Sequence, residues 1–240
     1  MTSKTALKTI CFYEPTKGDE NQIIPLTRKT LAFSWRDGLK TMLPELKAVR
    51  IIADALNTFD RFSAIAKIEA INDVFTACVA ISCEHSSEAV TNEDILRINR
   101  DVLNRNNEGI LSSKEKILKK LNYDTNPVTG ITLATALIYE SGFLELEKQA
   151  ILNWFCALYF LMKFEYSLYN FCDKYISLAL LDALVLKTRF RLFRDSESFI
   201  FNAYNKVHVD IIHPPRFYTE IENAVDNVLG SYKFFTHMNF

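Results

Sequence analysis

The chain has 240 residues, 49% of them apolar, with 28 basic against 29 acidic side chains and a formal net charge of −1. A balance so near zero excludes the global electrostatic pull that drives binding to nucleic acid or to an anionic membrane. Six glycines and six prolines are too few for the many turns of a β-sandwich or barrel.

Residues Lys4 to Phe12 form a short amphipathic piece, and the loop-like run Glu14 to Glu20 follows. From Leu26 the apolar pattern becomes helical. Arg28–Leu43 repeats Leu31, Trp35, Leu39 and Met42 at helical spacing and stops before Pro44. Glu45–Phe62 sets Val49, Ile52, Leu56 and Phe59 on one face. Ile68–Cys83 is apolar nearly all round, the pattern of a helix enclosed by its neighbours. Thr91 and Asp94 form a capping box with Asp in place of Glu and open Asn92–Leu103. After the turn cluster Asn106–Gly109, a short basic helix is expected over Ser113–Leu121.

The polar stretch Asn122-Tyr-Asp-Thr-Asn-Pro127 is the best domain boundary. Beyond it come Thr129–Tyr139, Leu144–Phe164 with a second run of apolar turns, Leu168–Leu186, Ser196–Tyr204, the loop at His213-Pro-Pro215, and Tyr218–Phe235. About five helices thus lie on each side of the hinge, with an apolar-all-round helix near the middle of each half. Periodicity alone leaves open a single irregular domain of about ten helices.

Five cysteines, Cys11, Cys78, Cys83, Cys156 and Cys172, are scattered, with no Cys-x-x-Cys pair and no Asn-x-Ser/Thr acceptor in the chain. That usage suits a reducing compartment, nucleus or cytoplasm. The longest apolar run, Ile151–Met162, falls short of the ~20 residues of a membrane span. Met1–Pro15 lacks the apolar core of a secretory signal.

Two stretches carry a family resemblance. Ala55-Leu-Asn-Thr-Phe-Asp-Arg-Phe62 is similar to the cyclin-box helix that ends in Asp-Arg-Phe. Lys116-Ile-Leu-Lys-Lys-Leu-Asn-Tyr-Asp124 resembles the last helix of that box and the start of its linker. Trp35 falls where the first helix of the box carries a Trp, and the order holds throughout residues 28–124. Pro127-Val-Thr129 resembles the opening of a second box, and Trp154 to Leu186 its second and third helices.

The resemblance implies an all-α fold of two tandem five-helix boxes: a segment 1–25, a first box 26–123 and a second box-like domain 124–240. It implies a regulatory subunit without catalysis or cofactor, which binds and activates a cyclin-dependent protein kinase in the cell cycle. No direct contact with nucleic acid or membrane is expected. The implied kinase interface is Ala80, Cys83, Glu84, Lys114, Glu115, Leu118 and Tyr123. Kinase-activating members place a Lys where Cys83 stands and a Glu where Lys114 stands; these departures suit a viral or lineage-specific relative. Leu31 and Trp35 correspond to a substrate-docking patch, although Arg28 and Ala32 replace two of its apolar residues, and core burial is the alternative for Trp35. A structural ion pair is expected between Lys29 and Asp60. The alternative function is a cyclin-fold adaptor in transcription that recruits partners without activating a kinase.

Other constellations are weaker. His208, Asp210 and His213 lack a metal-ligand spacing, and no further Cys or His lies nearby in sequence. The neighbours Cys83, Glu84 and His85 point in different directions from a helix and lack an oxyanion-type glycine. No phosphate-binding Gly-rich loop occurs. The lysines 114, 116, 119 and 120 include Glu115 among them and read as a solvated or partner-facing helix.

Overall fold

The computed structural model describes residues 25–86, 88–125, 129–165, 168, 171–186, 196–207 and 218–231. Among them are ten α-helices and no strand, and the chain divides into two compact units between Pro127 and Val128. The N-terminal unit contains α1 (Pro25–Leu39), α2 (Glu45–Ile65), α3 (Ile71–His85), α4 (Asn92–Arg97) and α5 (Ile110–Lys120). The C-terminal unit contains α6 (Gly130–Tyr139), α7 (Glu145–Met162), α8 (Asp173–Leu186), α9 (Ser196–Lys206) and α10 (Tyr218–Ser231).

The enclosed helix of the N-terminal unit is α3. Ten consecutive residues, Val74 to Cys83, are buried, so every side of it meets protein. It packs against α2, α4 and α5, while α1 lies on α2. In the C-terminal unit the hub is α8 rather than α7, which carries the apolar run. Asn153 of α7 is exposed and Trp154 half-buried, whereas α8 buries Ile176–Leu181 and packs against α6, α7, α9 and α10. The third helix is therefore central in both units. In each, the second and fourth helices flank the third, and the fifth packs on the second and third.

The helix expected over Asn92–Leu103 does not run straight through. It leaves α geometry at Ile98 for a π-helical turn to Val102. The cause is Asn99, which is buried and must find partners. Its amide nitrogen donates to Asn106 O at 3.0 Å and to Asn107 Oδ1 at 2.8 Å, and its Oδ1 accepts from Thr76 Oγ1 at 3.3 Å. The start of this helix is as expected: Thr91 Oγ1 accepts from Asp94 N at 3.2 Å, and Asp94 Oδ2 accepts from Thr91 N at 3.0 Å. Asn92 also reaches back to α3, donating to Glu84 Oε1 at 2.8 Å.

In the C-terminal unit one phenol joins three helices. Tyr159 OH, on α7, accepts from Gly130 N of α6 at 3.3 Å and donates to Asp173 Oδ2 of α8 at 2.6 Å. Lys163 holds the other carboxylate oxygen at 2.9 Å. A methyl group on Gly130 would collide with the Tyr159 ring and with Ser177 Oγ.

Two outcomes are expected. Alanine gains up to about 1 kcal/mol over glycine from helix propensity. Overpacking a core costs about 1–3 kcal/mol, so Gly130→Ala should lower stability in a urea titration. Separately, the hydrogen bonds from Thr91 hold the Asp94 carboxyl below the usual carboxylate range, with Arg97 adding to the effect against slight burial. A carboxylate lowered in the folded state contributes stability above its unfolded pKa and loses it as pH falls through the folded value. The protection of amides at the start of α4, relative to intrinsic exchange at each pH, should therefore fall on acidification in the wild type, and Asp94→Asn should flatten that dependence.

Candidate functional site

The end of α2 supplies the frame of the site. Asp60 accepts a bidentate pair from Arg28 of α1, Nε to Oδ1 at 2.7 Å and Nη2 to Oδ2 at 2.5 Å. Arg28 is only 1% exposed. This corrects the expected partner, Lys29, which is exposed and lies over the Phe33 ring at 6.0 Å. The reason is rotational: Arg28 shares the inward face of α1 with Leu31 and Trp35, at i+3 and i+7, and one residue further on the helix has turned by about 100°. Arg61 points the other way along the chain. Its Nη1 donates to Asp124 O at 2.8 Å and its Nη2 to Asp124 Oδ2 at 2.7 Å. Phe62 is buried. The two motifs that carry the resemblance are thus bonded to each other.

Beside this frame stand the residues of the expected interface. Glu84, at the end of α3, is exposed, and its Oε1 accepts from both Asn92 and Lys114 of α5. Partial burial acts to raise the pKa of Glu84, but the hydrogen bonds from Lys114 and Asn92 and the charge of Lys114 outweigh it and hold the carboxyl below its ordinary value. Glu115 is exposed and pairs with Lys119 at 2.5 Å, while Leu118 is half-buried. Tyr123 is 68% exposed.

Asn122 and Tyr123 both have left-handed backbones, with φ of 50° and 62°. Such a conformation is costly for a bulky side chain and persists only where its surroundings enforce it. Four bonds do so here. Tyr123 N donates to Leu118 O at 2.8 Å, closing α5 in the manner of a Schellman cap. Arg61 grips Asp124, and His85 Nε2 and Thr125 Oγ1 meet at 2.8 Å.

Not every expected contact residue reaches the surface. Ala80 and Cys83 are 3% and 2% exposed, because they lie on the sides of α3 covered by its neighbours. Leu31 and Trp35 are likewise buried against α2 and form core, not a docking surface. Leu111 was not anticipated. It is 67% exposed and precedes Glu115 and Leu118 by four and seven residues, so it extends their side of α5. An apolar residue at that spacing from Leu118 was the available signal. Nothing in the sequence marked Asn92.

The Cys83–His85 reading meets a physical obstacle. Burial pushes the Cys83 thiol up to about 12, with Glu84 adding to the shift, so the thiolate needed of a nucleophile is disfavoured. Among the described residues no three His, Cys, Asp or Glu side chains gather as a metal site. His208, Asp210 and His213 lie outside the described residues. No helix among the described residues is long and apolar enough to cross a membrane.

No protein-family model matches the chain, and no curated protein sequence matches it. Solved structures do. The X-ray structure of a viral cyclin from herpesvirus saimiri superposes with a TM-score of 0.60 over 88% of this chain and 90% of that one, at 13% sequence identity. At such low identity the likeness speaks for architecture, and it agrees with the all-helical composition. The chain is a divergent protein of the cyclin fold.

Proposed function

We propose that the chain is a non-catalytic regulatory subunit that binds and activates a cyclin-dependent protein kinase. The observation that carries this reading is the surface at which exposed Glu84 and Tyr123 and half-buried Lys114 and Leu118 lie near the bonded ends of α2, α3 and α5. Such a face would press on the mobile αC helix and activation loop of the kinase, favouring the arrangement in which its Lys–Glu ion pair is made. Shifting a kinase from 1:99 to 99:1 in favour of the active state requires about 5.5 kcal/mol of differential affinity. Apolar anchors flanked by oriented charges are the means by which interfaces reach that figure.

The charges have a definite polarity. Kinase-activating members of the family place the base at the end of the third helix and the acid on the fifth. Here the acid is Glu84 on α3 and the base is Lys114 on α5. Glu84 Oε2 takes neither of the bonds to Asn92 and Lys114, so it is available to a donor on the partner. A partner kinase with a base opposite Glu84 and an acid opposite Lys114 fits best. Burial of Ala80 and Cys83 shrinks the available face and favours, as the second reading, a transcriptional adaptor that binds without activating. Cys78 and Cys83 are buried thiols, which suits a place in the nucleus or cytoplasm.

The test is co-purification with a panel of cyclin-dependent kinases, followed by a phosphorylation assay. Retention with a rise in activity is expected. Retention without activation would favour the adaptor, and loss of all kinases at micromolar concentration would refute the first reading. Lys114→Glu should weaken binding about tenfold or more, since it leaves like charges facing each other at an interface. Lys67→Glu, in the exposed connection between α2 and α3, should change it little; equal effects of the two would remove the interface assignment.

A further inference from the structure

We propose that α7 is a homodimerisation helix, whose outer face pairs antiparallel with the same face of a second copy of the chain. The proposal is independent of the kinase reading. The longest apolar run of the sequence lies in α7, and a helix apolar on every side belongs in an interior. Its own unit covers only part of it. Helices α6, α8 and α10 pack against α7, yet Leu146 is 86% exposed, Asn153 is exposed, and Ala150, Trp154, Ala157 and Leu161 are half-buried. These six follow one another at spacings of three and four residues, so they form one row along the helix. Residues 149–162 contain no charged side chain, so nothing along most of that row repels an apolar partner.

The order of side chains in the row identifies the occupant. Ala150 precedes Asn153 by three residues, and Ala157 follows Trp154 by three; Leu146 precedes Asn153 by seven, and Leu161 follows Trp154 by seven. The apolar positions therefore read the same in both directions about the point between Asn153 and Trp154. A row of that kind is complementary to itself after a half-turn, which is the condition for a closed two-fold interface. Antiparallel pairing sets Leu146 against Leu161 of the second copy and Ala150 against its Ala157, with Asn153 and Trp154 beside the axis. The alanines let the two backbones approach closely. The Asn153 amide carries both a donor and an acceptor, so two copies of it can satisfy each other, and one polar residue within an apolar seam fixes its register. An unrelated helix gains nothing from the symmetry. The seam is about 24 Å long. One helix pair of that length buries less than a standard interface, so the dimer is a weak one that dissociates in the micromolar range.

The test is sedimentation velocity of the full chain from low to high micromolar concentration, with circular dichroism to confirm that each variant is folded. A reversible monomer–dimer equilibrium without larger species is expected. Asn153→Lys, at an exposed position, brings like charges together at the axis and should weaken the dimer about tenfold or more. Leu146→Lys should also weaken it, and adding Leu161→Glu should restore it, because antiparallel pairing sets each new Lys against a new Glu. Parallel pairing would instead set Lys against Lys. The proposal is overturned by a monomer at every concentration, by species beyond the dimer, or by unchanged association of folded Asn153→Lys. A folded double variant that associates no more tightly than Leu146→Lys alone overturns it too; if the double variant does not fold, Asn153→Lys decides.

Discussion

Three consecutive residues at the end of α2, Asp60, Arg61 and Phe62, hold three parts of the N-terminal unit at once. Asp60 binds α1 through Arg28, Arg61 binds the segment after α5 through Asp124, and Phe62 enters the core. Successive positions on a helix face different directions, so a triplet of this kind can serve three neighbours where a single side chain cannot. Removing either half of a truly buried ion pair costs roughly 3–5 kcal/mol, because the remaining charge keeps its desolvation penalty without compensation. Arg28 is buried to that degree. Asp124 is largely exposed, so the Arg61 pair adds less to stability and more to the placement of the chain.

That placement bears on the proposed kinase face. Tyr123 stands in a backbone conformation it would not adopt freely, immediately before the residue that Arg61 grips. The strain is imposed by the frame, and the result is an exposed aromatic residue whose backbone is fixed at the end of α5. A backbone ordered in advance loses less entropy on binding. The reversed polarity of Glu84 and Lys114 then bears on partner choice more than on strength, as like charges brought together at an interface are strongly disfavoured.

Much of the fold was legible in the sequence because helical periodicity is a strong local signal. The enclosed character of α3 follows from an apolar run with no polar side, and the start of α4 from Thr91 and Asp94. What the sequence concealed was direction. Lys29 and Arg28 are equally good partners for Asp60 on paper, and only the rotation of α1 about its axis separates them. Cys83 and Glu84 differ by one residue, yet one faces the core and the other solvent. The break at Ile98 depended on Asn99, whose partners lie seven and eight residues away in sequence and across the core on α3. The hub of the C-terminal unit was obscured because α7 and α8 are both strongly apolar, and burial of a helix on all sides is a property of its neighbours.

The face proposed for a kinase is held in shape by Arg61, which is itself largely buried. Kinase affinity of Arg61→Gln, measured by titration calorimetry alongside its melting curve, tests this most directly. Affinity should fall as far as it does on removal of the Tyr123 ring, while the unit still unfolds cooperatively. Undiminished affinity in a folded Arg61→Gln protein would contradict it.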